Sequence, residues 1–93
     1  MIESWGSTET EKIFLGNRSR KLPSDIHQTA RRKLRMNDAA VDSTDLRVPP
    51  GNRLEQLTGD LSGFHSIGIN QQWRVIFRWE NGSCFDVKIV DYH

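Results

Sequence analysis

Four residues near the C-terminal end have types that suit work on a phosphate backbone: Arg74, Arg78, Lys88 and Tyr92. If the segments carrying them are paired strands, they fall on one face at the two-residue period of a strand. A basic face carrying an aromatic suits single-stranded RNA, where cations hold phosphates and a ring stacks on a base. The competing reading is an ordinary solvated sheet face. A second cluster lies between Gly16 and Arg35, with Arg18, Arg20, Lys21, Arg31, Arg32, Lys33 and Arg35 set against Asp25 alone. The acids gather in 3–11 and 38–45, so a net charge of only +1 hides strong local asymmetry. Such asymmetry permits a polyanionic partner, while the plainer reading of Arg31-Arg32-Lys33 is a solvated helix face. The lone Cys84 cannot form an internal disulfide and makes a poor metal site, so neither a metal nor another cofactor is expected.

These residues need elements to position them. Thr8-Glu9-Thr10-Glu11 has the form of a capping box, and Gly16 offers a stop after Lys12-Ile13-Phe14-Leu15, which predicts a first helix. Pro23-Ser24-Asp25 opens a second helix running to about Val41, with Ile26, Ala30 and Leu34 as its apolar stripe. Pro49-Pro50-Gly51-Asn52 marks a loop, and beyond it the apolar period changes from 3.6 to 2. Strands are expected over 54–57, 64–70, 73–79 and 83–90, with 1–5 as a further short candidate. The fold class is therefore α+β: two N-terminal helices packed on one face of an antiparallel sheet.

The last hairpin can be registered by its side chains. A two-residue Asn81-Gly82 turn would pair Trp73, Val75 and Phe77 with Val90, Lys88 and Asp86, placing charge on the apolar face. A three-residue loop, Glu80-Asn81-Gly82, pairs them with Ile89, Val87 and Phe85 instead. The second register is the one expected, because both faces then become consistent.

Ninety-three residues and 35% hydrophobic composition fit one small domain, 1–93, with a thin core. A chain of this size buries roughly 60–65% of its unfolded surface. Mean hydropathy is −0.63, no apolar run approaches the length of a membrane span, and the first residues lack the pattern of a signal peptide. A soluble, cytoplasmic protein is expected.

Several stretches together resemble the HigB branch of the RelE-like toxins, the plasmid maintenance system killer family. They are Val48-Pro49-Pro50-Gly51-Asn52-Arg53-Leu54-Glu55, Gly59-Asp60, Ser66-Ile67, Gln72-Trp73-Arg74-Val75-Ile76-Phe77 and the closing Ile89-Val90-Asp91-Tyr92-His93. The resemblance runs along nearly the whole chain, and the Asp-Tyr-His ending is its most specific part. It implies the RelE-like fold and a ribosome-dependent endoribonuclease that cuts messenger RNA in the A site of the small subunit. It also implies a cognate helix-turn-helix antitoxin of the HigA type, with operator DNA reached only through that antitoxin.

The implied reaction is attack of a ribose 2′-hydroxyl on the adjacent phosphate. It leaves a 2′,3′-cyclic phosphate and a 5′-hydroxyl end, without a metal. Arg74 suits the growing charge on phosphate oxygens, because a guanidinium is planar and permanently charged. His93 titrates near neutrality and suits proton transfer, with Asp91 as orienter or base and Tyr92 as stacking ring or hydroxyl donor. Arg78, Lys88, His65 and Thr58 complete the candidate RNA contacts, a structural role being the competing reading for His65. By strict alternation Asp91 and His93 fall on the apolar side, so convergence with Arg74 requires the chain to leave the strand after Val90.

Two positions depart from the family pattern. Thr58 stands where lysine or arginine is common, and Gly68 stands where many members carry arginine. Both remove positive charge from the expected RNA surface. The alternative function is therefore a catalytically weakened toxin-like module that binds antitoxin and ribosome without efficient cleavage. A DNA-binding domain fits less well, since the second helix has no recognisable helix-turn-helix partner.

Overall fold

The computed structural model describes residues 1–91. Helix α1 spans Thr8–Phe14 and helix α2 spans His27–Ala39, the latter entered through a 3-10 turn at Ser24–Ile26 behind Pro23. Ser7, one residue before the expected cap, is the N-cap of α1; its hydroxyl accepts from the Thr10 N–H at 3.1 Å. Four strands follow: β1 (Glu55–Gln56), β2 (Phe64–Gly68), β3 (Trp73–Glu80) and β4 (Ser83–Asp91). They form one antiparallel sheet in the order β1-β2-β3-β4, so the α+β layout holds.

The helices cover one face of this sheet. Ile13 of α1 and Ala30 and Leu34 of α2 pack with Ile67, Val75, Phe77, Val87 and Ile89, all of them buried. Each fully buried side chain of this size contributes about 1.5–3 kcal/mol relative to leaving it in water. The alternate residues of β3, Arg74 and Arg78 among them, point to the other face.

Residues 1–5 are not an independent strand. Ile2 and Trp5 make single parallel bridges to Cys84 and Val87, and the segment bonds to β4 through Glu3 N–H to Cys84 O and Gly6 N–H to Val87 O, each 2.8 Å. It thus occupies the outer edge of β4, which would otherwise present unpaired backbone groups.

The hairpin register differs from the expected one. Glu80 pairs with Ser83 and Trp79 with Cys84, so the turn has the two residues Asn81 and Gly82, both with positive φ (50° and 80°). That is the backbone of a tight type I′ turn, whose twist matches the strands. Toward the open end the pairing is Ile76–Lys88, Val75–Ile89 and Trp73–Asp91. The two registers are reconciled by a bulge in β4 opposite the Ile76–Arg78 segment, where Asp86 has φ 55°. One extra residue shifts the phase by one, so Val87 and Ile89 reach the core without a longer loop. The bulge is held by Ser4, whose hydroxyl accepts from the Asp86 N–H at 2.8 Å, and by Arg78, whose Nε donates to Asp86 Oδ2 at 2.8 Å. Among the described residues no helix is long and apolar enough to cross a membrane.

Candidate active site

Arg74 sits in the middle of the helix-free face, yet only 4% of it is exposed. Its Nε donates to Ser66 Oγ at 2.8 Å, and its Nη2 donates to Arg53 O at 2.6 Å and to Ser66 O at 3.4 Å. Ser66 is itself fully buried on β2. A guanidinium gripped along one edge cannot swing, which is the preorganisation that charge stabilisation in a transition state requires.

The backbone carbonyl that Arg74 uses is aimed by an unusual conformation. Arg53 ends the 3-10 turn Pro50–Asn52 in the left-handed region, at φ 48° and ψ 57°. Its neighbour Asn52 is fully buried, donates to Leu46 O at 3.1 Å, and accepts from Lys33 Nζ of α2. Burial, with the nearby Arg32 charge second, lowers the Lys33 pKa from its ordinary value. The Pro-Pro-Gly-Asn loop is thereby pinned to the helical layer while presenting Arg53 to the sheet.

Gly68 faces Arg74 across the β2–β3 pair. A Cβ placed there would lie 3.5 Å from Arg53 Nη2 and 3.7 Å from Arg74 Nη1. Two guanidiniums therefore converge over the glycine, and Arg53 Nη2 also donates to Asn70 O at 3.4 Å. Positive charge is present at this point even though the residue on β2 is glycine; it arrives from the loop. Arg53 lay within a motif legible in the sequence, but its role depends on a left-handed backbone that no periodicity reports. Glu55, exposed opposite Ser66, adds a carboxylate at the same face that sequence reasoning also passed over.

The other expected site residues are distributed unevenly. Lys88 is exposed opposite Ile76, on the same face as Arg74. Arg78 shares that face, but its donors are engaged with Asp86 at 2.8 Å and Glu80 at 2.8 Å, and its guanidinium lies 5.6 Å from the Phe85 ring centroid. Thr58 is exposed at the start of the Gly59–Leu61 turn, and its side chain caps nothing there. His65 lies on the opposite, helix-covered face, stacked on Phe77 with centroids 5.8 Å apart, and burial lowers its pKa from the ordinary 6.5. The structure therefore does not bring His65 to Arg74.

Asp91 stays in the ladder as the partner of Trp73, one residue beyond the point where the chain was expected to leave the strand. Its Oδ2 accepts from Gln72 Nε2 at 3.1 Å. Pairing with Trp73 keeps it on the phase of the apolar face, at the exposed end of the sheet. Tyr92 and His93 lie outside the described residues.

Comparison with known proteins shows the family of this chain. A family model described as the RelE-like toxin of type II toxin-antitoxin system HigB matches residues 9–93. Toxin HigB-1 of Vibrio cholerae is 51% identical over 65 residues, which cover 70% of this chain and 68% of that protein. Endoribonuclease HigB of Proteus vulgaris is 37% identical over the full length of both chains. Among solved structures, the YoeB-YefM complex from Staphylococcus aureus contains a chain that superposes with a TM-score of 0.62 at 14% identity, covering 100% of this chain and 98% of that one. That likeness concerns the fold alone. With a family match across both layers of the fold and relatives of this identity, the chain belongs to the HigB-like family of RelE-like type II toxins.

Proposed function

We propose that this protein, acting as one domain of residues 1–93 in the cytoplasm, is a ribosome-dependent endoribonuclease that cuts messenger RNA in the A site and so stops translation. The observation that carries this reading is the buried Arg74 guanidinium, held by Ser66 and the Arg53 carbonyl, with the Arg53 guanidinium beside it over Gly68. Family membership and the full-length likeness to a protein named an endoribonuclease support it.

In this reading a ribose 2′-oxygen attacks the neighbouring phosphorus in line and the 5′-oxygen leaves, giving a 2′,3′-cyclic phosphate and a 5′-hydroxyl end without a metal. Arg74, with Arg53 beside it, meets the charge that grows on the phosphate oxygens. His93 takes the 2′-proton and gives one to the leaving 5′-oxygen, Asp91 orients it from the exposed end of the sheet, and Tyr92 stacks on a base or donates its hydroxyl. Lys88 supplies most of the phosphate attraction at the rim, because Arg78 is divided between two carboxylates. Thr58 contributes a weaker contact from its loop, and His65 acts as a packing residue beneath the sheet. The partner in the resting cell is a helix-turn-helix antitoxin of the HigA type, through which alone the toxin reaches operator DNA.

Purified protein added to ribosomes stalled on a defined message tests the reading. The expected product is a cut within the A-site codon whose 3′ fragment begins with a 5′-hydroxyl. A 5′-phosphate, or cleavage that requires an added divalent ion after chelation, would contradict the mechanism.

A further inference from the structure

Lys33 is an unusual residue to bury. It lies on α2, is only 5% exposed, and donates through Nζ to Asn52 Oδ1. Burial disfavours its charge and the neighbouring Arg32 adds repulsion, which lowers its pKa from the ordinary lysine value. A neutral amide oxygen compensates a buried ammonium poorly, and an apolar side chain would fill the space without that cost. Packing alone therefore gives no reason for a cation at this position.

Asn52, the residue it holds, is fully buried and ties three segments together. Its Oδ1 meets α2 at Lys33, and its Nδ2 donates to Leu46 O at 3.1 Å and lies 3.7 Å from Met36 Sδ of α2. Its backbone N–H closes the loop onto Pro49 O at 2.9 Å. The next residue is Arg53, in the left-handed region at φ 48°. An arginine in that region is disfavoured and persists only where its surroundings fix it. The Arg53 carbonyl is the acceptor that Arg74 Nη2 reaches at 2.6 Å, a much closer contact than the 3.4 Å to Ser66 O. Contacts thus run unbroken from the helical layer, through the loop, to the guanidinium on the far face of the sheet.

We propose that Lys33 is a positioning residue for Arg74: it fixes the Arg53 carbonyl through Asn52 and so sets the direction in which the guanidinium points. Lys33 itself touches no RNA and moves no proton. The kinetic consequence rests on the proposed cleavage, whereas the hold on Arg74 exists whatever reaction that face performs.

NMR of the arginine side-chain N–H groups reads the hold without any reaction. A guanidinium gripped at both Nε and Nη2 turns slowly about its Cζ–Nε bond and gives separate Nη signals, identified as those missing from Arg74→Lys. Lys33→Met keeps most of the side-chain length and removes the donor, so it should merge these signals. On ribosomes its kcat should fall by roughly 10–10²-fold, the scale of a displacement of about 1 Å, with KM within about threefold of wild type. Ile13→Val thins the same core from α1 without touching the loop. It should leave the Arg74 signals separate and kcat within about twofold, which isolates positioning from a general loss of stability. If Lys33→Met fails to fold, Lys33→Met combined with Asn52→Leu removes both partners at once and should show the same merged signals and lowered kcat. Separate Arg74 signals in either folded Lys33 variant would overturn the proposal, and so would wild-type kcat in a variant of a cleaving enzyme. Merged signals in a protein whose wild type cuts no ribosome-bound message would uphold the role of Lys33 and contradict the cleavage reading alone.

Discussion

Arg74 serves the fold and the proposed chemistry at once, and that shapes how its removal should read. Arg74→Ala strips donors from buried Ser66 and from the Arg53 carbonyl, so a stability loss of about 1–3 kcal/mol is expected in a denaturant titration. Cleavage should fall by roughly 10²–10³-fold, beyond anything that loss explains, because one fixed transition-state donor is gone. Arg74→Lys should fare little better in the ribosome assay, since an ammonium cannot grip Ser66 and Arg53 while facing a phosphate. Cleavage by either variant at the wild-type rate would remove Arg74 from the chemistry. Deleting His93 should cost about 10²–10⁴-fold, the range for a general acid–base group, and undiminished growth arrest by the truncated chain would shift that role to other residues. His65 offers a pH test. Its lowered pKa means the unfolded chain takes the proton first, so stability should decline as pH falls below 6.5. His65→Phe should flatten that decline in acid-side melting curves and leave RNA cleavage within a few-fold, whereas a large loss of cleavage would return His65 to the RNA surface.

At the scale of elements, the four strands of the sheet and both helices were legible from their periods, although Ser7 rather than Thr8 caps α1, no side chain caps α2, and 1–5 forms only isolated bridges. The hairpin register was not. Side-chain alternation alone made a two-residue turn look impossible, since it put Lys88 and Asp86 opposite core residues. A bulge at Asp86 removes the conflict, but a bulge has no period, and aspartate at positive φ leaves little trace in a sequence. Arg53 was hidden for a related reason: its charge was visible, but the left-handed backbone that aims its carbonyl at Arg74 was not. Gly68 then read as lost charge when the structure fills the space above it with two guanidiniums. The bulge makes its own prediction. Asp86→Gly keeps the left-handed conformation and loses only a half-exposed ion pair and a long hydroxyl contact, so it should stay within about 1 kcal/mol of wild type. Asp86→Val forces a β-branched residue into that conformation and should cost about 1–3 kcal/mol by urea denaturation. Equal stability of the two variants would mean that the bulge moves to another residue.

Over the whole molecule, the sheet separates two charged surfaces. One face presents Arg74, Arg53 and Lys88 around a glycine, and the helical side carries a groove lined by six cations. A domain this small has few groups with which to align a flexible message, and alignment of reacting atoms can supply a large part of a barrier reduction. In the proposed function the ribosome makes up that shortage by holding the codon. The most direct measurement is cleavage of one transcript by the purified toxin, free in solution and positioned on ribosomes, with every cut end mapped. Cuts confined to the ribosome-positioned codon, absent or far slower on free RNA and absent with Arg74→Ala, are the predicted result. Equal rates and the same cut pattern on free and ribosome-bound transcripts would contradict it.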